Sequence, residues 1–277
     1  MIKRTLSTVG LWAVVFGTLY FFGVFGGVVL LAVLTLLAQY EFQGLLEKSG
    51  LPPWKNTTLA LGFTLVLSIG LELPEIFYLA LVAISFALVL GALVSVREPS
   101  NSHRLAGSVL ALAYVPGMMV FYAAISLMGR NAYPESKGHG LGLVIWVIAV
   151  AKFTDVGGYL VGSMIGRHKL APTISPGKTW EGVGGGLVLA AAVAYLPVRY
   201  APEYFEAWLT PIRAVALALP IGVAAIVSDL SESAFKRRAG VKDSGRCIPG
   251  IGGALDLADS LLLAGPVAYY LFILIQQ

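Results

Sequence analysis

The feature that most limits what this chain can fold into is the recurrence of apolar runs of roughly fifteen to twenty-five residues, parted by short polar stretches. Inside hydrocarbon every backbone N–H and C=O must be satisfied within the segment, so runs of this length read as membrane-spanning helices. Composition agrees: 57% of the residues are of the AVILMFWYC set and only 12% are charged, against about 25% charged in an ordinary soluble domain. Disorder and a conventional soluble enzyme are thereby excluded. Nucleic-acid binding is not expected either, because it needs a continuous basic face and the net charge is only +4. The single cysteine, Cys247, rules out an intrachain disulfide and a cysteine-rich metal site.

Hydropathy, punctuated by turn residues, predicts an all-α polytopic membrane protein of about nine transmembrane helices with a cytoplasmic N-terminus. The expected spans are 8–22, 24–40, 57–71, 74–96, 105–128, 141–164, 180–197, 210–230 and 259–275. Thr8 to Tyr40 would measure about 50 Å as one straight helix against a hydrocarbon core of about 30 Å, so two short spans meeting near Gly23 are expected. No small-residue cleavage pattern ends the apolar stretch after Lys3 and Arg4, which therefore reads as a retained first helix.

Under this count fourteen Lys and Arg residues fall on the N-terminal side of the membrane and four on the other, Arg130, Lys137, Arg199 and Arg213, with Lys152 inside the sixth span. That asymmetry puts the N-terminus and the basic loops in the cytoplasm. Residues 1–140 carry few polar intramembrane groups and read as a transmembrane scaffold and oligomer-contact region. Residues 141–277 concentrate Gly, Asp, Lys and Arg at helix ends and loops on the cytoplasmic side, and read as the catalytic region.

Two constellations in that region carry chemistry. In the first, Asp155 shares a helix face with Lys152 and Tyr159. A bare carboxylate is costly within a span, so Asp155 lines a polar cavity, pairs with a cation or contacts a metal; a Lys152–Asp155 packing pair is the plain alternative. The following loop holds Ser175-Pro176-Gly177-Lys178-Thr179 and Glu181. Hydroxyls, exposed amides and an ammonium suit a polyphosphate, although the Walker spacing is absent; a basic loop touching anionic headgroups is the simpler reading. Glu181 acts electrostatically or caps a helix.

In the second constellation Asp229, Glu232, Ser233 and Lys236 follow one another at helical steps, then come Arg237, Arg238, Lys242 and Asp243. The glycine-rich turn Pro249-Gly250-Ile251-Gly252-Gly253 leads to Asp256 and Asp259. Asp229, Asp256 and Asp259 can converge on Mg²⁺, which takes oxygen ligands, while lysines neutralise phosphate oxygens. Helix capping by Asp256 and Asp259 is the bland alternative.

These stretches resemble the phosphatidate cytidylyltransferases, or CDP-diacylglycerol synthases. The likeness is carried by Lys152-Phe153-Thr154-Asp155 through Gly166, by Ser175 to Gly182, by Ser233-Ala234-Phe235-Lys236-Arg237, by Lys242-Asp243, and by Pro249-Gly250 through Asp259. The family usually has His where this chain has Ile251 and Arg where it has Leu257; the remaining carboxylates and cations favour an active, divergent enzyme. The resemblance implies transfer of a cytidylyl group from CTP to phosphatidic acid, a divalent metal (Mg²⁺, with or without a second cation), a homodimer, and a multi-pass protein of the bacterial inner membrane. It further implies that Asp256 and Asp259 lead the metal ligands with Asp229 as a third. Lys236, Arg237 and Lys242 would contact phosphates, and Ser175, Lys178 and Thr179 would close over CTP or pyrophosphate, with Asp155 and Asp243 in support. A CTP-dependent lipid kinase and, from another class, an ion-coupled transporter are the competing readings.

Overall fold

The structure is a computed structural model that describes residues 2–73, 82, 99–128, 139–245, 247 and 252–276. The chain divides into two compact units, each assembled from two separated stretches: residues 1–123 with 235–258, and residues 124–234 with 259–277.

The first unit is organised around α1 (Ile2–Lys48), followed by α2 (Lys55–Gly70) and α3 (Pro99–Tyr114), the start of α4 (Pro116–Ser126) and the short α8 (Ala254–Ala258). Gly23, at φ 54°, ψ −133°, breaks the helical geometry of α1, a backbone conformation open to glycine because it lacks a Cβ. The bend is sharp: a Cβ on Gly26 would lie 2.6 Å from the Thr18 carbonyl oxygen. Ala32, Val66 and Ala123 are fully buried in one core cluster, and the rings of Phe42, Tyr114 and Phe235 pack with centroids 4.7–5.0 Å apart. Gln39 donates to the Thr58 carbonyl and Gln43 to the Thr58 hydroxyl, each at 2.8 Å, so the amide nitrogens of both side chains find acceptors inside the α1–α2 contact.

The second unit contains α5 (His139–Ile165), a hairpin of β1 (Lys169–Ala171) and β2 (Ser175–Thr179), α6 (Trp180–Tyr200), most of α7 (Pro211–Arg238) and α9 (Leu261–Gln276). The two strands are antiparallel, pairing Lys169 with Thr179 and Ala171 with Ser175 across an irregularity. Trp146 of α5 donates its indole N–H to the Ala194 carbonyl of α6 at 3.0 Å, and Phe272 of α9 packs against Trp146 and Trp208.

Among the described residues six segments are long and apolar enough to cross a bilayer: Ala13–Lys48, Asn101–Ser126, His139–Ile165, Trp180–Tyr200, Pro211–Arg238 and Ala254–Gln276. The protein is thus a multi-pass, essentially all-helical membrane protein, but the expected nine spans are corrected to six candidate spans among the described residues. The stretches expected at 8–22 and 24–40 do part at Gly23, where the backbone leaves helical geometry, but Ala13–Lys48 counts as a single candidate span. The stretch expected at 57–71 forms a helix of 16 residues, about 24 Å against a core of about 30 Å. The stretch expected at 74–96 lies outside the described residues, apart from residue 82.

Candidate active site

The site of the second unit is built on a close contact between α5 and α6 that glycine makes possible. A Cβ on Gly186 would come 2.5 Å from the Thr154 carbonyl oxygen, one on Gly182 would come 2.7 Å from that of Gly158, and one on Gly157 2.8 Å from that of Gly185. Backbone meets backbone here, the packing that small residues allow between membrane helices.

The hairpin is fastened to this pair at its base. Thr179 caps α6, its hydroxyl accepting the Gly182 N–H at 3.1 Å. Glu181, in the first turn of α6, accepts the backbone N–H groups of Arg167 at 3.1 Å and His168 at 3.2 Å, and lies 2.6 Å from His168 Nδ1. The Trp180 N–H donates to the His168 carbonyl at 2.9 Å. Of the two roles open to Glu181 in the sequence, electrostatic or capping, the geometry shows a carboxylate tying the end of α5 to the start of α6.

A cavity of about 330 Å³ opens beside the hairpin, lined by Asp155 and Tyr159 of α5, Ser175, Lys178 and Thr179 of β2, and Asp229 of α7, with Gly158, Gly162 and Gly182 forming part of its wall. Lys178 Nζ stands 2.5 Å from Asp229 Oδ2, and Ser233 donates to the other Asp229 oxygen at 3.4 Å. The hairpin thereby brings the basic loop of the first constellation to an acidic group of the second.

Asp229 is also one corner of an acidic cluster with Glu232 and Asp259, in which one carboxylate oxygen from each residue lies within 4.8 Å of the others. Asp229 and Glu232 are one helical turn apart on α7, and Asp259 arrives from the turn before α9. Several contacts orient that turn. Lys152 Nζ lies 3.1 Å from Asp259 Oδ1 and 2.8 Å from the Ser260 hydroxyl; the Ser260 N–H donates to Asp259 Oδ1 at 2.6 Å; and the Ser228 hydroxyl donates to the Asp259 carbonyl. Asp155 is hydrogen-bonded to the Ser260 side chain and sits in the field of Asp259, Asp229 and Lys152. Lys152 therefore pairs with Asp259, three residues from the next expected ligand, rather than merely bracing Asp155. Three hard oxygen donors at this spacing fit a divalent cation.

Asp256 is placed differently. It belongs to the first unit, where Lys236 Nζ lies 2.9 Å from its Oδ1 and the Gly253 N–H donates to its Oδ2 at 3.0 Å. Arg237, Lys242 and Asp243 are exposed in that same unit. Leu257 is half-buried in α8, whereas Ile251 and Arg246 lie outside the described residues. The acidic cluster contains one residue not assigned from sequence, Glu232. Its signal was present in the three-residue step from Asp229, which places both carboxylates on one helix face. Nothing in the sequence points Lys152 at Asp259.

The comparisons with known proteins bear on what this arrangement does. A sequence profile of the cytidylyltransferase family matches residues 2–275. The phosphatidate cytidylyltransferase of Haemophilus influenzae is 36% identical over 155 residues, which cover 56% of this chain and 54% of the relative. That of Staphylococcus epidermidis is 32% identical over 254 residues, covering 90% of this chain and 91% of the relative. The Staphylococcus aureus protein is 35% identical over 195 residues, covering 70% of this chain and 68% of its own. The chain thus spans about half of the first of these relatives and nearly all of the second.

Proposed function

The chain belongs to the cytidylyltransferase family, and on that premise we infer that it is a membrane-bound nucleotidyltransferase carrying the cytidylyl group of CTP to phosphatidic acid, with CDP-diacylglycerol and pyrophosphate as products. The observation that carries the reading is the meeting of Asp229, Glu232 and Asp259 within 4.8 Å at the side of a cavity that also holds Lys178.

In the reaction a phosphate oxygen of phosphatidate attacks the α-phosphorus of CTP. The bond from that phosphorus to the bridging oxygen of the β-phosphate breaks, and pyrophosphate leaves with the electron pair. The nucleophile is already anionic at neutral pH, so the chief obstacle is repulsion between two anions rather than deprotonation. Mg²⁺ held by Asp229, Glu232 and Asp259 would neutralise the polyphosphate and stabilise the leaving group. Lys178, already beside Asp229, supplies a cation to the phosphates, and the Ser175 hydroxyl supplies a further polar contact in the same cavity. Lys152 holds Asp259 in place, and Asp155 holds Ser260. Lys236, Arg237 and Lys242 are assigned to phosphate binding, with Asp243 and Asp256 ordering those cations.

The proposal extends to organisation. Residues 141–277 carry the reacting groups, and residues 1–140 serve as scaffold and as the contact of a homodimer. The hairpin faces the cytoplasm of a bacterial inner membrane. The connection from α5 to α6 carries Arg167, Lys169 and Lys178, whereas at the opposite ends of α6 and α7 the helices carry only Arg199 and Arg213 in their terminal turns, a bias that favours this orientation. Incubating the purified protein with labelled CTP, Mg²⁺ and phosphatidic acid tests the reading: CDP-diacylglycerol and pyrophosphate are expected. Release of CDP with a newly phosphorylated lipid would instead identify a kinase.

A further inference from the structure

Glu41 sits far along the apolar helix α1 with only 5% of its surface exposed, a position in which a carboxylate is costly unless it is engaged. Its partners come from a distant part of the chain within the same unit. Oε2 accepts the Ser244 hydroxyl at 3.1 Å and the Leu255 N–H at 2.9 Å, and the Cys247 thiol is hydrogen-bonded to the same carboxyl group. Two glycines leave room for it: a Cβ on Gly245 would fall 2.1 Å from Glu41 Oε1, and one on Gly253 would fall 2.3 Å from Oε2.

One side chain therefore gathers the beginning and the end of the 244–255 segment. Directly after it comes Asp256, which accepts the Gly253 N–H at 3.0 Å and pairs with Lys236 at 2.9 Å. The backbone that carries the Asp256 half of this ion pair is held by Glu41 of α1. Plain helix packing would need no carboxylate, whereas an acceptor-only group is suited to a turn that offers a hydroxyl, an amide and a thiol as donors.

We propose that Glu41 is a positioning residue for cytidylyl transfer: by holding Ser244 and Leu255 it fixes the backbone that leads into Asp256, and Asp256 in turn orders Lys236 for the substrate phosphates. The assignment rests on the reading that Lys236 binds those phosphates and that Asp256 orders it. It also gives the N-terminal half of the chain a direct part in ordering the reaction.

Cys247 is the chain's single cysteine and is exposed, so its alkylation by iodoacetamide reports on the clamp independently of turnover. Full-length protein in detergent is compared with Glu41→Ala, Glu41→Gln and Ser244→Ala, each assayed well below its unfolding temperature. Glu41→Ala is expected to lower kcat by about 10- to 100-fold, the scale of a misplaced reacting group, and Glu41→Gln to recover part of the loss. Cys247 should be alkylated several-fold faster at pH 8 in both. Ser244→Ala should show the same two changes in smaller measure. Wild-type kcat and KM in folded Glu41→Ala, or unchanged Cys247 reactivity, overturns the proposal. If neither Glu41 variant folds, wild-type behaviour of Ser244→Ala overturns it. Absence of cytidylyl transfer in the wild-type protein sinks the underlying reading instead, and faster alkylation in the variants tells that failure apart from failure of the clamp.

Discussion

Lys178 Nζ and Asp229 Oδ2 lie 2.5 Å apart, so the short hairpin after α5 is anchored to α7 by a cation and a carboxylate that each have a use beyond the contact. The ammonium waits at the cavity wall, and the carboxylate is shared with the acidic cluster. Removing the ammonium should raise the cost of bringing a triphosphate beside those carboxylates. Lys178→Ala is expected to lower kcat/KM for CTP by about 10²- to 10³-fold. Lys178→Arg should restore little, since a planar guanidinium is larger and directional where the ammonium is compact. Initial rates at varied CTP check both.

The acidic cluster predicts a graded response. Asp259→Asn and Asp229→Asn are each expected to abolish turnover without preventing membrane insertion, and full retained transfer would remove their metal role. Glu232→Gln keeps both Asp229 and Asp259, the carboxylates that pair with Lys178 and Lys152, and should leave measurable activity with a raised Mg²⁺ requirement. Chelation with EDTA should silence the wild-type protein, and added Mg²⁺ should restore it. Titrating Mg²⁺ against rate for wild type and Glu232→Gln is the decisive measurement.

The contact between α5 and α6 predicts a stability effect separable from catalysis. Gly186 meets the Thr154 carbonyl so closely that an added Cβ would stand 2.5 Å away, and backbone cannot swing aside as a side chain can. Gly186→Leu is expected to destabilise the protein by about 1–3 kcal/mol or more through overpacking. Gly184, whose Cβ would meet nothing within 4 Å, is the control: Gly184→Ala should leave the thermal midpoint in detergent close to wild type.

The Cys247 thiol is pushed up to about 11, first by its hydrogen bond to Glu41, then by burial and by the negative charge of that carboxylate. The thiolate is the nucleophile. Alkylation should therefore climb about tenfold per pH unit from pH 7 to pH 10, where an ordinary thiol levels off above about 8.5. A plateau near pH 9 would contradict the hydrogen bond to Glu41.

Much of the site was legible because its groups lie on regular helix faces or in marked loops. Lys178 and Asp229 stood out as a cation in a glycine-bearing loop and an acid at a helix end, and Asp259 as an acid opening the last apolar stretch. Their mutual contacts were not legible, because pairing between distant segments depends on tertiary packing rather than spacing. Lys152 illustrates this: its sequence neighbour is Asp155, yet its ammonium pairs with Asp259. Glu232 had the right spacing but no feature separating it from an ordinary surface acid. The span count failed for a local reason. Gly23 was legible as a break between two helical stretches, but the stretch at 57–71 folds as a helix of only 16 residues, and length is what hydropathy alone does not fix. Glu41 was invisible as a functional residue because its partners stand more than two hundred positions away.

The wall formed by Gly158, Gly162 and Gly182 has an engineering consequence. Main-chain atoms have no rotamers to exchange and nothing to trim, so no truncation can widen the chamber on that flank. Attempts to broaden the range of accepted substrates must work from side chains in the same lining, such as Tyr159, Val183 or Ile226, while mutations of the glycines can only narrow it.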